Sequence, residues 1–234
     1  MQNGSSDKSM NNVIFILSLP RSGSTLLQRI LSVHPEISTV SEPWLLLPAI
    51  YALRGDGVYA EYSAKSVSKA LREVVANLPN GMSDYYDAVR RFAFSIYGKL
   101  GKKGGSYFLD KTPRYFLIID EIEKVFPQAK FIFLFRQPLA TYASMIHAFN
   151  KGRLGDARHR VDAYEGPLLL ARGWERLETR AHKIHFEELL IDAEYVIPSL
   201  CDYLEVEYMP EMLEGFTETF FGGSMGDSIG TKEY

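Results

Sequence analysis

An α/β fold, a central parallel sheet flanked by helices with a helical insertion, is predicted by three features of the 234-residue sequence. The apolar run Val13-Ile14-Phe15-Ile16-Leu17 passes through Ser18-Leu19 into the turn Pro20-Arg21-Ser22-Gly23-Ser24-Thr25 and then into helix-periodic residues, a P-loop-like strand, turn and helix. A second run, Lys130 to Phe135, is almost continuously apolar, as expected of a strand covered on both faces. Between and beyond them, short strand patterns alternate with helical patterns of ten or more residues, which implies βαβ units with right-handed crossovers.

The elements follow in order. Met1 to Asn12, rich in Ser, Asn and Gly, reads as a disordered tail, and a single domain is expected over 13–234. A strand begins at Val13, and Gly23 to Val33 is an apolar-periodic helix. Ile37 to Val40 is a short β-branched strand ended by Ser41-Glu42-Pro43-Trp44. Helices over Ser66 to Leu78 and Asp84 to Leu100, split by Pro79-Asn80-Gly81, form the insertion. A loop from Gly101 to Gly105 precedes a strand at Ser106 to Leu109 and a helix from Arg114 to Phe126, closed by Pro127. After the strand at Lys130, helices are expected at Leu139 to Phe149 and at about Asp162 to Ala181. The Gly/Arg-rich connection between these two helices is a candidate mobile lid.

Composition narrows the function classes. A net charge of −3 with mixed signs provides no global field for nucleic acid or anionic lipid, so any anion site must be local. Cys201, the single cysteine, excludes an internal disulfide and a CxxC metal site, and reads as a buried structural thiol. No stretch approaches the roughly 20 apolar residues that span a bilayer, and no secretory leader is visible, so a cytoplasmic location is expected. His34, His159, His182 and His185 lack metal-ligand spacing, and no metal is expected.

The turn at Pro20 to Thr25 is a phosphate cradle without the usual lysine. A buried strand ending in a tight glycine turn leaves the first N–H groups of the following helix pointing at an anion. Aligned on Gly23, the pattern G-x-x-x-x-G-K-[ST] finds Ser18 at its first glycine and Ser24 at its lysine. Ordinary ATP or GTP hydrolysis is therefore disfavoured, while Arg21 and the cradle N–H groups of Ser22, Gly23, Ser24 and Thr25 remain.

The string Pro20-Arg21-Ser22-Gly23-Ser24-Thr25-Leu26-Leu27 resembles the 5′-phosphosulfate loop of sulfotransferases, the enzymes that use 3′-phosphoadenosine 5′-phosphosulfate (PAPS) and release adenosine 3′,5′-bisphosphate. Arg136, after the apolar strand, is followed eight positions on by Ser144, the spacing of the pair that grips the 3′-phosphate in that family. Ile184-His185-Phe186-Glu187-Glu188-Leu189-Leu190 is similar to the family's late strand and helix start, and Asp110-Lys111-Thr112-Pro113-Arg114-Tyr115 lies between in the family's order. The matches run from about residue 13 to about residue 213, closest to the bacterial and tyrosylprotein-type branch. The resemblance implies a C-terminal segment covering the nucleotide, which the Gly-rich stretch from Phe220 to Tyr234 would supply partly or not at all.

Sulfuryl transfer needs a held donor, a stabilised leaving phosphate and a deprotonated acceptor. The cradle and Arg21 suit the first task. Lys111, just past a strand, suits the second, and the resemblance places a catalytic lysine there; from the bare residues a solvated turn lysine is the commoner reading. Glu42, after a strand expected beside the first, suits the third, and the resemblance to glutamate-based branches points to it as general base. His147, on the same helical face as Ser144, is the rival base. Arg114 caps the helix start or reaches the nucleotide, and Trp44, Tyr51, Tyr85 and Tyr86 line either the core or an acceptor pocket. The resulting expectation is in-line transfer from PAPS to a small-molecule, glycan or peptide hydroxyl. A nucleotide kinase or NTPase with a divergent loop, and a catalytically silent nucleotide-binding domain, are the alternatives.

Overall fold

The computed structural model describes residues 12–102, 104–150, 159–219 and 221. Strands β1 (Asn12–Ser18), β2 (Ile37–Thr39), β3 (Tyr107–Asp110), β4 (Lys130–Phe135) and β5 (Ala181–His185) form one parallel sheet in the order β2-β3-β1-β4-β5. Alternate side chains of each strand point to opposite faces, so the sheet builds two cores. Val13, Phe15 and Leu17 pack with Phe108, Phe131 and Phe133 on one face; Ile14 and Ile16 pack with Leu109, Ile132, Leu134 and Ile184 on the other. β1 is buried from Val13 to Ser18, which is why its sequence reads as an unbroken apolar run.

The first core is covered by α2 (Leu46–Tyr51), α4 (Met82–Leu100), α5 (Ile119–Val125), α6 (Pro138–Asn150) and α7 (Gly166–Leu177). The second is covered by α1 (Ser24–Val33), α8 (Phe186–Ile191), α9 (Ala193–Leu204) and α10 (Glu211–Glu214). The insertion is α3 (Ala64–Ala76) with α4, and Ser63 caps α3 by accepting from the Ser66 N–H at 3.2 Å. Cys201 is fully buried on α9, where burial pushes its thiol up to about 11. Among the described residues, no helix is long and apolar enough to cross a membrane.

Several expectations need correction. β2 does not run beside β1: β3 lies between them, so Glu42 leaves the sheet one strand further out than expected. The helix expected over Arg114 to Phe126 is a 3-10 turn at Tyr115–Leu117 followed by α5, because Arg114 adopts φ 71 and Ile118 breaks the helix at φ −138. The helix expected from Asp162 to Ala181 is a π-helical turn at Val161–Glu165 followed by α7, and Ala181 already belongs to β5. α2, six residues with Pro48 inside, carries too short a pattern to be read. The expected tail at Met1 to Asn12, the centre of the lid connection and the stretch from Phe220 fall, apart from Asn12 and Phe221, outside the described residues.

Candidate active site

The carboxyl ends of β1, β3 and β4 converge, and the cradle sits there. After Ser18 the chain turns through Arg21 at φ 66 and Gly23 at φ 88, and α1 starts at Ser24. Its first intrahelical bond is Leu27 N–H to Gly23 C=O at 3.2 Å, which leaves the preceding N–H groups at the positive end of the helix dipole for an anion. Gly23 is required twice over. Its left-handed φ favours glycine, and a Cβ built there would lie 2.1 Å from the Phe186 ring at the start of α8. Gly23→Ala should therefore destabilise the fold by more than about 1 kcal/mol, measurable by thermal melting.

Two partners of Arg21 in the cradle arrive from distant sequence. Arg21 Nε donates to Ser144 Oγ on α6 at 3.3 Å, and Arg136, at the end of β4, donates from Nη1 to the Arg21 carbonyl at 2.8 Å. The Arg136 guanidinium also stacks on Phe186, 4.7 Å from the ring centroid. Glu187 accepts from the Gln137 N–H at 2.9 Å and so ties the start of α8 to the end of β4. Arg21, Arg136 and Ser144 thus form one connected group around the loop.

Lys111 is not a solvated turn residue. Its side chain is 3% exposed and its Nζ donates to Glu42 Oε1 at 2.8 Å, Glu42 being 9% exposed. The same Nζ lies 3.5 Å from Thr25 Oγ1 in the first turn of α1. Glu42 accepts a second hydrogen bond at Oε2 from the Trp44 indole Nε1, at 3.1 Å. The lysine therefore links the carboxylate to the cradle across the intervening strand, the route by which Glu42 reaches the site despite the strand order. His147 is exposed on α6, and the partner of Lys111 is Glu42.

Beneath this pair lies a buried polar network. Asp110, fully buried at the end of β3, accepts from Tyr97 OH at 2.6 Å, Tyr115 OH at 2.9 Å and Thr112 Oγ1 at 2.7 Å. Burial pushes its carboxyl up to about 6 from 3.8, although the three hydroxyls and Lys111 pull the other way. The folded state then holds this proton more tightly than the unfolded chain. The stability it contributes is present below 3.8 and lost as pH rises through about 6. Comparing melting temperatures of wild type and Asp110→Asn between these limits should show the wild type losing stability relative to the variant as pH rises. Arg114 binds Asp162 through Nε at 2.9 Å and Nη2 at 2.8 Å, fastening the π-helical turn to the segment after Lys111.

The sulfotransferase family model matches residues 13–210, a span that contains every residue of this arrangement. The chain belongs to the sulfotransferase family. Similar curated proteins include the nodulation protein NoeE of Sinorhizobium fredii, 37% identical over 134 residues (57% of this chain, 30% of NoeE). Protein-tyrosine sulfotransferase 1 of Danio rerio is 25% identical over 232 residues, 94% of this chain and 60% of that protein. This sulfotransferase-family chain thus spans less than two thirds of the length of either. Among solved structures, the sulfotransferase domain from the curacin biosynthetic pathway aligns with a TM-score of 0.58 at 24% identity, covering 95% of this chain and 82% of that one. It shows that the fold is shared.

Sequence reasoning missed parts of this family member's site. Gln28 on α1, fully buried, donates from its amide to Thr39 Oγ1 at 2.8 Å and to the Val40 carbonyl at 2.7 Å, fixing the segment that leads to Glu42. A glutamine beside Leu27 and Leu31 on an apolar helical face was the available signal. Trp44 is not part of either core cluster, and its indole Nε1 donates to Glu42 Oε2. Tyr85 donates to the Ala49 carbonyl at 2.7 Å, and Tyr51 packs under the Arg54 guanidinium at 4.5 Å; both, with Tyr86, pack against the first core.

Proposed function

We propose that this chain transfers the sulfuryl group of PAPS to an acceptor hydroxyl, with Glu42 as general base. The observation that carries the reading is the buried Lys111–Glu42 pair standing 3.5 Å from the first turn of the cradle helix. The donor set fits a polyanionic nucleotide: a helix N-terminus, the guanidiniums of Arg21 and Arg136, the Lys111 ammonium and the hydroxyls of Ser22, Ser24, Thr25 and Ser144. PAPS would supply an SO₃ group whose bond to the 5′-phosphate oxygen breaks as the acceptor oxygen bonds to sulfur, giving the sulfated product and adenosine 3′,5′-bisphosphate.

The chain's residues divide the work. N–H groups of Ser22 to Thr25 hold the 5′-phosphosulfate, with Arg21 bridging its oxygens. Arg136 and Ser144 take the 3′-phosphate. Glu42 receives the acceptor's hydroxyl proton, and Lys111 neutralises the charge that gathers on the bridging oxygen as the S–O bond lengthens. Because Lys111 contacts both the carboxylate and the cradle hydroxyl, one ammonium serves the two ends of the displacement.

Glu42 chemistry suits a tyrosine, sugar or other small-molecule hydroxyl, and a screen with labelled PAPS selects among them. The donor reading is tested by thermal shift. Adenosine 3′,5′-bisphosphate should raise the melting temperature of the chain, while ATP with Mg²⁺ should do so weakly or not at all. A larger shift with ATP and Mg²⁺ would contradict the proposal.

A further inference from the structure

Trp44 adopts φ 53, the left-handed region that a bulky side chain rarely enters and keeps only where its surroundings hold it. The holding contacts form a chain. The Trp44 backbone N–H donates to Thr112 Oγ1 at 3.2 Å, the Thr112 hydroxyl donates to Asp110 Oδ1 at 2.7 Å, and Asp110 Oδ2 is fixed by Tyr97 and Tyr115. At the other end, the Trp44 indole donates to Glu42 Oε2 at 3.1 Å. A strained tryptophan and a fully buried carboxyl both work against stability, and both are arranged so that one N–H meets one oxygen of Glu42.

We propose that Trp44 is a positioning residue for Glu42, held in place by Thr112 and Asp110. The inference rests on the reading of Glu42 as the base. A carboxylate presents about four acceptor positions. With Lys111 on Oε1 and Trp44 on Oε2, the plane of the group is fixed and further lone pairs remain for the acceptor's hydroxyl. When Lys111 turns its charge to the leaving oxygen, Trp44 keeps the carboxylate in place. Thr112 is suited to its task because one hydroxyl both accepts from Trp44 and donates to Asp110. Serine can do the same, whereas valine can do neither.

The sequence contains two tryptophans, so nitrogen-15 spectra of the full chain show two indole N–H signals, assigned with Trp174→Phe. Glu42→Gln and Thr112→Val should each move the Trp44 indole signal and speed its solvent exchange by roughly tenfold, while Thr112→Ser keeps it near the wild-type position. In Trp44→Phe and Thr112→Val, release of labelled sulfate from PAPS, with water in the acceptor's place, should fall by roughly tenfold or more in kcat at unchanged KM, and Thr112→Ser should retain it. A Trp44 signal indifferent to Glu42→Gln overturns the contact. Thr112→Val that behaves as Thr112→Ser overturns the support, and a rise in KM alone overturns the positioning role. Failure of the wild type to bind adenosine 3′,5′-bisphosphate would instead remove the donor assignment, and with it the task given to Trp44.

Discussion

Glu42→Gln lowers turnover by roughly 10²–10⁴-fold and leaves adenosine 3′,5′-bisphosphate affinity within about threefold of wild type, the pattern of a group that acts in the transition state and not in donor binding. The geometry supports the separation. Glutamine matches the size of glutamate and keeps one carbonyl oxygen to accept from Lys111, leaving its NH2 toward Trp44, and it cannot take a proton at neutral pH. The cradle contacts of Arg21, Arg136 and Ser144 do not pass through Glu42. Initial rates with an acceptor from the PAPS screen, alongside calorimetry, measure both quantities. Survival of activity in Glu42→Gln together with its loss in His147→Ala would move the base to the histidine.

Arg136→Ala weakens PAPS binding by roughly 10–150-fold, the factor for losing one charge-assisted hydrogen bond of about 1.5–3 kcal/mol to a partly desolvated phosphate. Part of that effect comes from the loop itself, since Arg136 donates to the Arg21 carbonyl and stacks on Phe186, the ring that also closes over Gly23. Ser144→Ala costs less, because it removes a neutral hydroxyl whose neighbour Arg21 keeps its charge. Equilibrium titrations of the two variants separate these contributions. Equal losses would assign Arg136 no more than a bracing role.

The fold was legible where local pattern and tertiary demand coincide. β1 and β4 are buried on both faces and read as apolar runs, and the cradle needs Gly23 at a fixed place between strand and helix. The strand order was not legible, because β2 has three residues and nothing in them distinguishes β1 from β3 as neighbour. Glu42 nevertheless lies within reach of the cradle, though not by strand adjacency. It approaches the cradle through Lys111, whose burial no local pattern announced: a lysine after a strand usually faces water.

The polar network was invisible for a related reason. Thr112 and Tyr115 follow Asp110 directly after β3, but Tyr97 comes from the helical insertion, and its meeting with Asp110 depends on how α4 lies on the sheet. Arg114 carried an open role until Asp162, 48 residues away, supplied its partner. Spacing motifs encode contacts within one strand, turn and helix. Contacts between such units appear only when the units are assembled.

The donor site proposed for this chain reads the 3′-phosphate. Competition calorimetry between PAPS and adenosine 5′-phosphosulfate, which lacks that group, tests it most directly. The wild type should bind PAPS more tightly by roughly tenfold or more, and Arg136→Ala should remove most of that difference, with only a smaller loss for adenosine 5′-phosphosulfate through the loop contacts of Arg136. Equal wild-type affinity for the two nucleotides would contradict it.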